Sequence, residues 1–173
     1  GRILLMLFLA VSISLTAAIW DIMRPLPPSR LEYLSHVILD EKGSILETRL
    51  SRDGYWREKI DLDDIDERLV NILIAYEDKR FWDHYGVDIL AITRAIYDAS
   101  RTGKISSGAS TITMQTARLM YPSLGKKNLL TKLKQMLMAL RIEFHWTKSQ
   151  ILEAYFTLAP YGGNIEGISA GAR

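Results

Sequence analysis

Eighteen consecutive residues, Ile3 to Trp20 (ILLMLFLAVSISLTAAIW), carry no charge. As a helix such a run spans about 27 Å, close to the hydrocarbon thickness of a bilayer. Arg2 precedes it, and Asp21 and Arg24 follow. A tryptophan at the far end suits the head-group interface. Only Ser and Thr interrupt the apolar surface, so the polar face of a core helix is missing. The small residues of TAAIW keep a cleaved signal peptide open as the alternative, although such segments usually have a shorter apolar core. The expectation is a membrane anchor over residues 1–22. Arg2 favours an N-terminus inside the cell and a translocated remainder.

At 173 residues the chain amounts to about one domain. It starts without Met and stops abruptly, which reads as a fragment of a longer protein. With no cysteine, disulfides and thiolate metal sites are excluded. The net charge of +2 hides an asymmetry. Residues 1–100 hold twelve Lys or Arg against seventeen Asp or Glu. Residues 101–150 hold nine Lys or Arg and a single acid, Glu143. Such a basic block, interleaved with apolar residues, suits phosphate, lipid head groups or nucleic acid, or is simply a solvated face.

After the anchor, RPLPPSR (Arg24–Arg30) reads as a stiff, extended linker. SHVILDEKGSILETRL alternates on both sides of DEKG, which predicts a small β-hairpin with Gly43 in its turn. SRDGYW holds a second turn at Asp53-Gly54. Residues 23–60 are thus a linker and small β region. From Asp61 the signals are helical. Leu69, Ile72, Leu73 and Tyr76 form an apolar stripe, with acids leading the helix. Glu77 falls at that helix's C-terminal end, an unfavourable place for a carboxylate. Further helices are predicted over about 88–100, closed by Gly103, and from near Ser110 to before Pro122. Another covers about 129–144, with Leu129, Leu133, Met136, Leu137, Leu140 and Phe144 on its core side. Thr147 and Gln150 form a capping box for the next.

Three stretches could carry chemistry. EDKRFWDHYGVD (Glu77–Asp88) sets the acid pair Glu77 and Asp78 next to a histidine and three aromatics at one helix boundary. In SSGASTITMQTARLMYP, Gly108 and Ala109 lead into a helix start that Ser110 can cap. Such an N-terminus is a ready anion site, and Thr111, Gln115 and Arg118 share one face, although a merely capped amphipathic helix fits as well. Lys126, Lys127, Lys132 and Lys134 surround the start of the following helix, where cations oppose the dipole; an anion would relieve them, or solvent does. His84 reads best as a structural histidine bonded near Glu77 or Asp78. HExxH, GxxxxGK[ST] and GxGxxG are absent, which removes zinc hydrolase and nucleotide-loop readings. A Ser-His-Asp triad has no GxSxG to support it.

In this order the stretches resemble the peptidoglycan glycosyltransferase domain, family 51, of class A penicillin-binding proteins and monofunctional glycosyltransferases. The family patterns EDxxFxxHxGvd, GGSTITQQxaKN, RKxKExxxAxrxE and KxeILexYLNxxxFG correspond to EDKRFWDHYGVD, GASTITMQTARL, TKLKQMLMALRIE and KSQILEAYFTLAPYGG. GISAGA (Gly167–Ala172) resembles the start of a fifth. The implied fold is mainly α: a lysozyme-like helical glycosyltransferase domain over residues 61–173, truncated at its C-terminus, with a membrane-embedded jaw, the small β-hairpin and the N-terminal transmembrane helix. The implied reaction polymerises lipid II into glycan strands at the outer face of the bacterial cytoplasmic membrane. By this resemblance Glu77 is the general base, and Gln135 stands at a second catalytic position. Asp78, Phe81, His84, Ser110, Thr111, Gln115, Arg118, Lys127, Lys132 and Lys134 bind substrate. The implied partners are lipid II, the growing strand, the membrane and other cell-wall synthesis proteins, with no nucleic acid.

The chain departs from the family pattern at several positions. Gln135 replaces a glutamate held to assist leaving-group departure, and Thr131 replaces an arginine. An amide neither binds metal strongly nor donates a catalytic proton. A divalent cation, Mg or Mn, is therefore an open question, and no metal ligands are assigned. Arg118 replaces lysine and keeps the charge, while Ala109, Met114 and Thr157 replace Gly, Gln and Asn. Gln135, the FW pair and APYGG are similar to the 1C branch of class A penicillin-binding proteins, in which a transpeptidase domain follows. The alternatives to a polymerase are a weak or inactive module that binds lipid II or partners, and a lysozyme-type lytic enzyme.

Overall fold

The structure, a computed structural model, describes residues 1–103, 108–126 and 128–172. Its helices are α1 (Arg2–Met23), α2 (Glu67–Glu77), α3 (Ile89–Thr102), α4 (Ile112–Met120), α5 (Leu129–His145), α6 (Lys148–Leu158) and α7 (Ile168–Gly171). The strands are β1 (His36–Leu39), β2 (Ile45–Arg49), β3 (Trp56–Arg57), β4 (Pro160–Gly162) and β5 (Ile165–Glu166). The chain is mainly helical, as expected.

α1 is long and apolar enough to cross a membrane, and none of its apolar window is buried against protein. Its C-terminal end is held by α5. The Arg141 guanidinium donates to the carbonyls of Arg24 (3.0 Å) and Pro25. His145 Nε2 lies 2.8 Å from the same Arg24 carbonyl. A guanidinium at a helix C-terminus matches its dipole and satisfies the carbonyls that close it.

The expected hairpin is present: β1 and β2 pair antiparallel, with His36 opposite Arg49. The Asp40 carboxylate accepts the N–H groups of Lys42 and Ser44, both at 2.8 Å, and Gly43 takes φ +80° in the turn. A second sheet, in the order β3-β5-β4, was not visible in the sequence. Its strands are two or three residues long, too short for an alternating pattern.

Buried charge stitches that sheet together. Arg57 is fully buried and donates to Glu166, to Asp53 (3.0 Å) and to the carbonyls of Arg30 (2.8 Å) and Tyr33 (2.6 Å). Arg30 donates to both Glu166 oxygens (2.9 and 3.0 Å) and to Asp53 (2.8 Å). Burial alone would raise the Asp53 carboxyl. Hydrogen bonds from Ser51, Arg57 and Arg30 outweigh it and hold the group well below the ordinary carboxylate range.

α4 is the central element, buried on nearly every side and packed against α5 and α6. Phe81, Ile112, Ile142, Ile151, Leu152 and Leu158 are fully buried around it. Two predicted faces are corrected here. In α2 the buried residues are Val70 and Ile74, while Ile72 and Tyr76 of the expected stripe face outward. In α5 the buried face is Thr131, Gln135, Ala139 and Ile142. Leu129, Leu133, Leu137 and Phe144 are exposed. The apolar stripe exists, but it does not face the protein core.

The turn before α3 crosses α5 closely. Gly86 has φ +74°, and a Cβ built on it would meet the Ala139 carbonyl group at 2.7 Å. The contact is with backbone, which cannot swing aside. Gly86→Ala is expected to destabilise the domain by about 1–3 kcal/mol through backbone strain alone, with the clash adding to it. Thermal unfolding of the two proteins measures this.

Candidate active site

Glu77 is the last residue of α2 and is half-buried. Its Oε2 accepts a hydrogen bond from Gln115 Nε2 on α4 at 2.7 Å. The carboxylate therefore faces α4, and its partner is a neutral amide. Asp78 meets α4 at its N-terminus. It is buried, its oxygens lie 3.0 Å from His84 Nε2, and Oδ2 also accepts the Ile112 N–H at 3.0 Å. A carboxylate thus sits on the positive end of α4. His84 is structural in the sense expected, bonded to Asp78, and its buried Nδ1 has no hydrogen-bond partner among the described residues. Phe81 is fully buried, its ring edge-on to Trp82.

Thr111, not Ser110, caps α4: its hydroxyl accepts the Met114 N–H at 3.1 Å and donates to the Gly86 carbonyl at 2.6 Å. Ser110 is left free to accept from Lys132 Nζ at 2.5 Å. Burial, and then the Arg118 guanidinium, lower the Lys132 ammonium pKa from its ordinary value. Two cations crowded this way favour an incoming anion. Arg118 and Lys134 are exposed, on α4 and α5. Lys127 lies outside the described residues.

Beside Glu77 a cleft of about 440 Å³ opens between the end of α2, α3 and the Gly108–Thr111 turn. Lys79, Arg80 and Arg94 line it together with Glu77 and Ser110. Sequence reasoning missed these three cations. Lys79 and Arg80 were inside the quoted EDKRFWDHYGVD, but their facing the cleft depends on the turn after α2. Arg94 lies on a helix that the sequence marked only by its bounds and its closing Gly103. Tyr155 of α6 was also missed. Burial raises its phenol pKa, and the nearby Glu77 carboxylate raises it further.

Gln135 is buried and donates its amide to the Leu124 carbonyl at 2.6 Å. Among the described residues no group of three His, Asp or Glu could hold a metal. Gln135 carries no charge and Asp78 is already bonded on both oxygens. Neither side chain therefore offers a free carboxylate oxygen to a divalent cation.

The cleft sets the half-buried Glu77 carboxylate beside Lys79, Arg80 and Arg94, of which Arg80 lies 3.6 Å from Asp88, and Asp78 and Asp88 complete its charged lining next to the N-terminus of α4. Residues 42–173 match the Transglycosylase family model. The chain is 38% identical over 136 residues to penicillin-binding protein 1C of Escherichia coli (strain K12), an alignment covering 79% of this chain and 17% of that protein. It is 33% identical over 136 residues to penicillin-binding protein 1A of Aquifex aeolicus (strain VF5), covering 79% and 18%. With penicillin-binding protein 1A of Escherichia coli (strain K12) it shares 41% over 117 residues, covering 68% and 14%. The aligned part spans less than a fifth of each of these relatives. With the ordered motifs, the helical fold and a family match over most of its length, the chain belongs to the transglycosylase family, the glycosyltransferase domain of class A penicillin-binding proteins.

Proposed function

We propose that this domain polymerises lipid II into glycan strands by inverting displacement, with Glu77 as general base. The observation that carries the reading is the Glu77 carboxylate, held by a neutral amide at 2.7 Å on the edge of a cleft lined by Lys79, Arg80 and Arg94. The carboxylate takes the proton of the acceptor sugar's 4-hydroxyl. That oxygen forms a bond to the anomeric carbon of the lipid-linked donor. The carbon–oxygen bond to undecaprenyl pyrophosphate breaks, and its electron pair leaves with the diphosphate. A diphosphate carries its charge without protonation, so the leaving side needs cations more than an acid. Arg118, Lys132 and Lys134 supply them, beside Ser110, Thr111 and Gln115; Lys127 is proposed for the same role from its sequence position alone. Asp78, in the lining of the cleft, and the buried His84 and Phe81 form the frame that carries this surface.

In this reading residues 1–22 anchor the chain in the bacterial cytoplasmic membrane, with the catalytic part on the outer side. Residues 23–60 connect, and 61–173 do the chemistry. The exposed apolar residues of α3 (Ile89, Leu90, Ile96) and α5 (Leu129, Leu130, Leu133) support contact with the bilayer, where the lipid-linked substrate resides.

The test is polymerisation of lipid II in detergent, with and without a chelator. Polymer is expected, at a rate that EDTA does not change, because Gln135 brings an amide and no carboxylate to the leaving-group side. Binding without polymer would instead identify a binding module. Cleavage of purified glycan strands would identify a lytic enzyme.

A further inference from the structure

Glu143 is the single acid in the basic block of residues 101–150, yet it does not face the cleft. Its side chain is 4% exposed at the end of α5. There its Oε1 accepts from Lys148 Nζ at 2.6 Å and from the Thr113 hydroxyl at 2.7 Å. The Lys148 ammonium also donates to the His84 carbonyl at 2.6 Å and sits 4.4 Å from the centre of the Phe81 ring. One carboxylate and one ammonium thus join four segments: the turn at 81–84, α4, the end of α5 and the start of α6.

We propose that the Glu143–Lys148 pair is a positioning element for Glu77, a role that rests on the function proposed above. Neither residue reaches the cleft. They act through α4. The turn after α2 is bonded to α4 at Asp78–Ile112 and Gly86–Thr111, and the Thr113–Glu143–Lys148–His84 chain closes the same junction from the other side. Together these contacts fix where α4 lies along the turn. Gln115 then meets Glu77 at 2.7 Å. A buried ion pair is a poor source of net stability, because apolar groups of similar volume hold such a site as well. What the pair supplies is one geometry. A misplacement of about 1 Å at a reacting group costs on the order of a hundredfold in rate.

The experiment compares the wild-type chain with Lys148→Met, Lys148→Arg and Thr113→Val. It reads the unfolding temperature, kcat and KM for lipid II, and hydrogen exchange of the amides in the first turn of α4. Lys148→Met is expected to lower kcat by about tenfold to a hundredfold while KM stays within about twofold. Exchange at Ile112 should speed up, and Lys148→Arg should recover most of both. Thr113→Val should lower kcat less, at an unchanged unfolding temperature. An unchanged kcat in folded Lys148→Met overturns the proposal. So does a loss carried by KM, or one that Lys148→Arg does not relieve. If Lys148→Met fails to fold, Thr113→Val decides: reduced kcat supports the role and wild-type kcat refutes it. If the wild-type chain makes no polymer, the function reading fails on its own, and the exchange data still decide. Faster exchange at Ile112 in the variants supports the positioning role, and unchanged exchange refutes it.

Discussion

Glu77→Gln is expected to lower the rate of lipid II polymerisation by about a hundredfold to ten-thousandfold, the usual contribution of a positioned base. The substitution preserves size and the ability to pair with Gln115, so the end of α2 should keep its place. It removes the one property the reaction requires, an oxygen that can take a proton. Lys79, Arg80 and Arg94 remain, so lipid II should still bind. Initial rates at saturating lipid II, a binding isotherm and an unfolding curve separate these effects. Loss of binding together with rate would make Glu77 a substrate contact. Loss of both with a lowered unfolding temperature would make it structural.

The second large effect concerns stability. Arg57→Met removes a guanidinium that is fully buried and leaves Glu166 and Asp53 with Arg30 as their remaining cation. Breaking such a buried pair costs about 3–5 kcal/mol, because the surviving charge keeps its desolvation penalty. For a chain of this size that corresponds to a fall of about 10 °C in unfolding temperature. Arg57→Met combined with Glu166→Leu should recover part of the loss, since it removes the stranded charge as well. The pH dependence follows from Asp53. Its folded pKa is lowered, so its contribution is fully present above the unfolded carboxylate range near pH 4 and is lost as pH falls through the folded value. In Arg57→Met one of the groups holding Asp53 down is gone, and acid unfolding should begin at higher pH. Thermal unfolding of each variant over a pH series measures both effects.

The sequence was most legible where a local rule decides the outcome. The charge-free run lies in α1, Gly103 closes α3, and Thr147 with Gln150 makes the capping box of α6. It misled where periodicity had to say what covers an apolar face. Leu129, Leu133, Leu137 and Phe144 recur at helical spacing, but α5 turns Thr131, Gln135 and Ala139 inward instead. An apolar stripe looks the same whether protein or bilayer meets it. The three-stranded sheet was illegible because β3 and β5 pair across more than a hundred residues through two residues each. Within the site, Glu77 and Gln115 were recognisable from their motifs, and the structure joins them. Arg94 and Tyr155 were not singled out, because only the packing of α3 and α6 places them beside the others. The Ser110 assignment missed by one residue. Both Ser110 and Thr111 suit an N-cap, and the Gly86 carbonyl, distant in sequence, selects Thr111.

The most direct measurement is the configuration of the donor sugar's anomeric carbon before and after one transfer, read by NMR on the dimer product of lipid II. A carboxylate that only removes the acceptor's proton, beside cations that hold the departing diphosphate, requires a single displacement and therefore inversion. Retention would mean that a side chain bonds to that carbon first, and it would contradict the role assigned to Glu77.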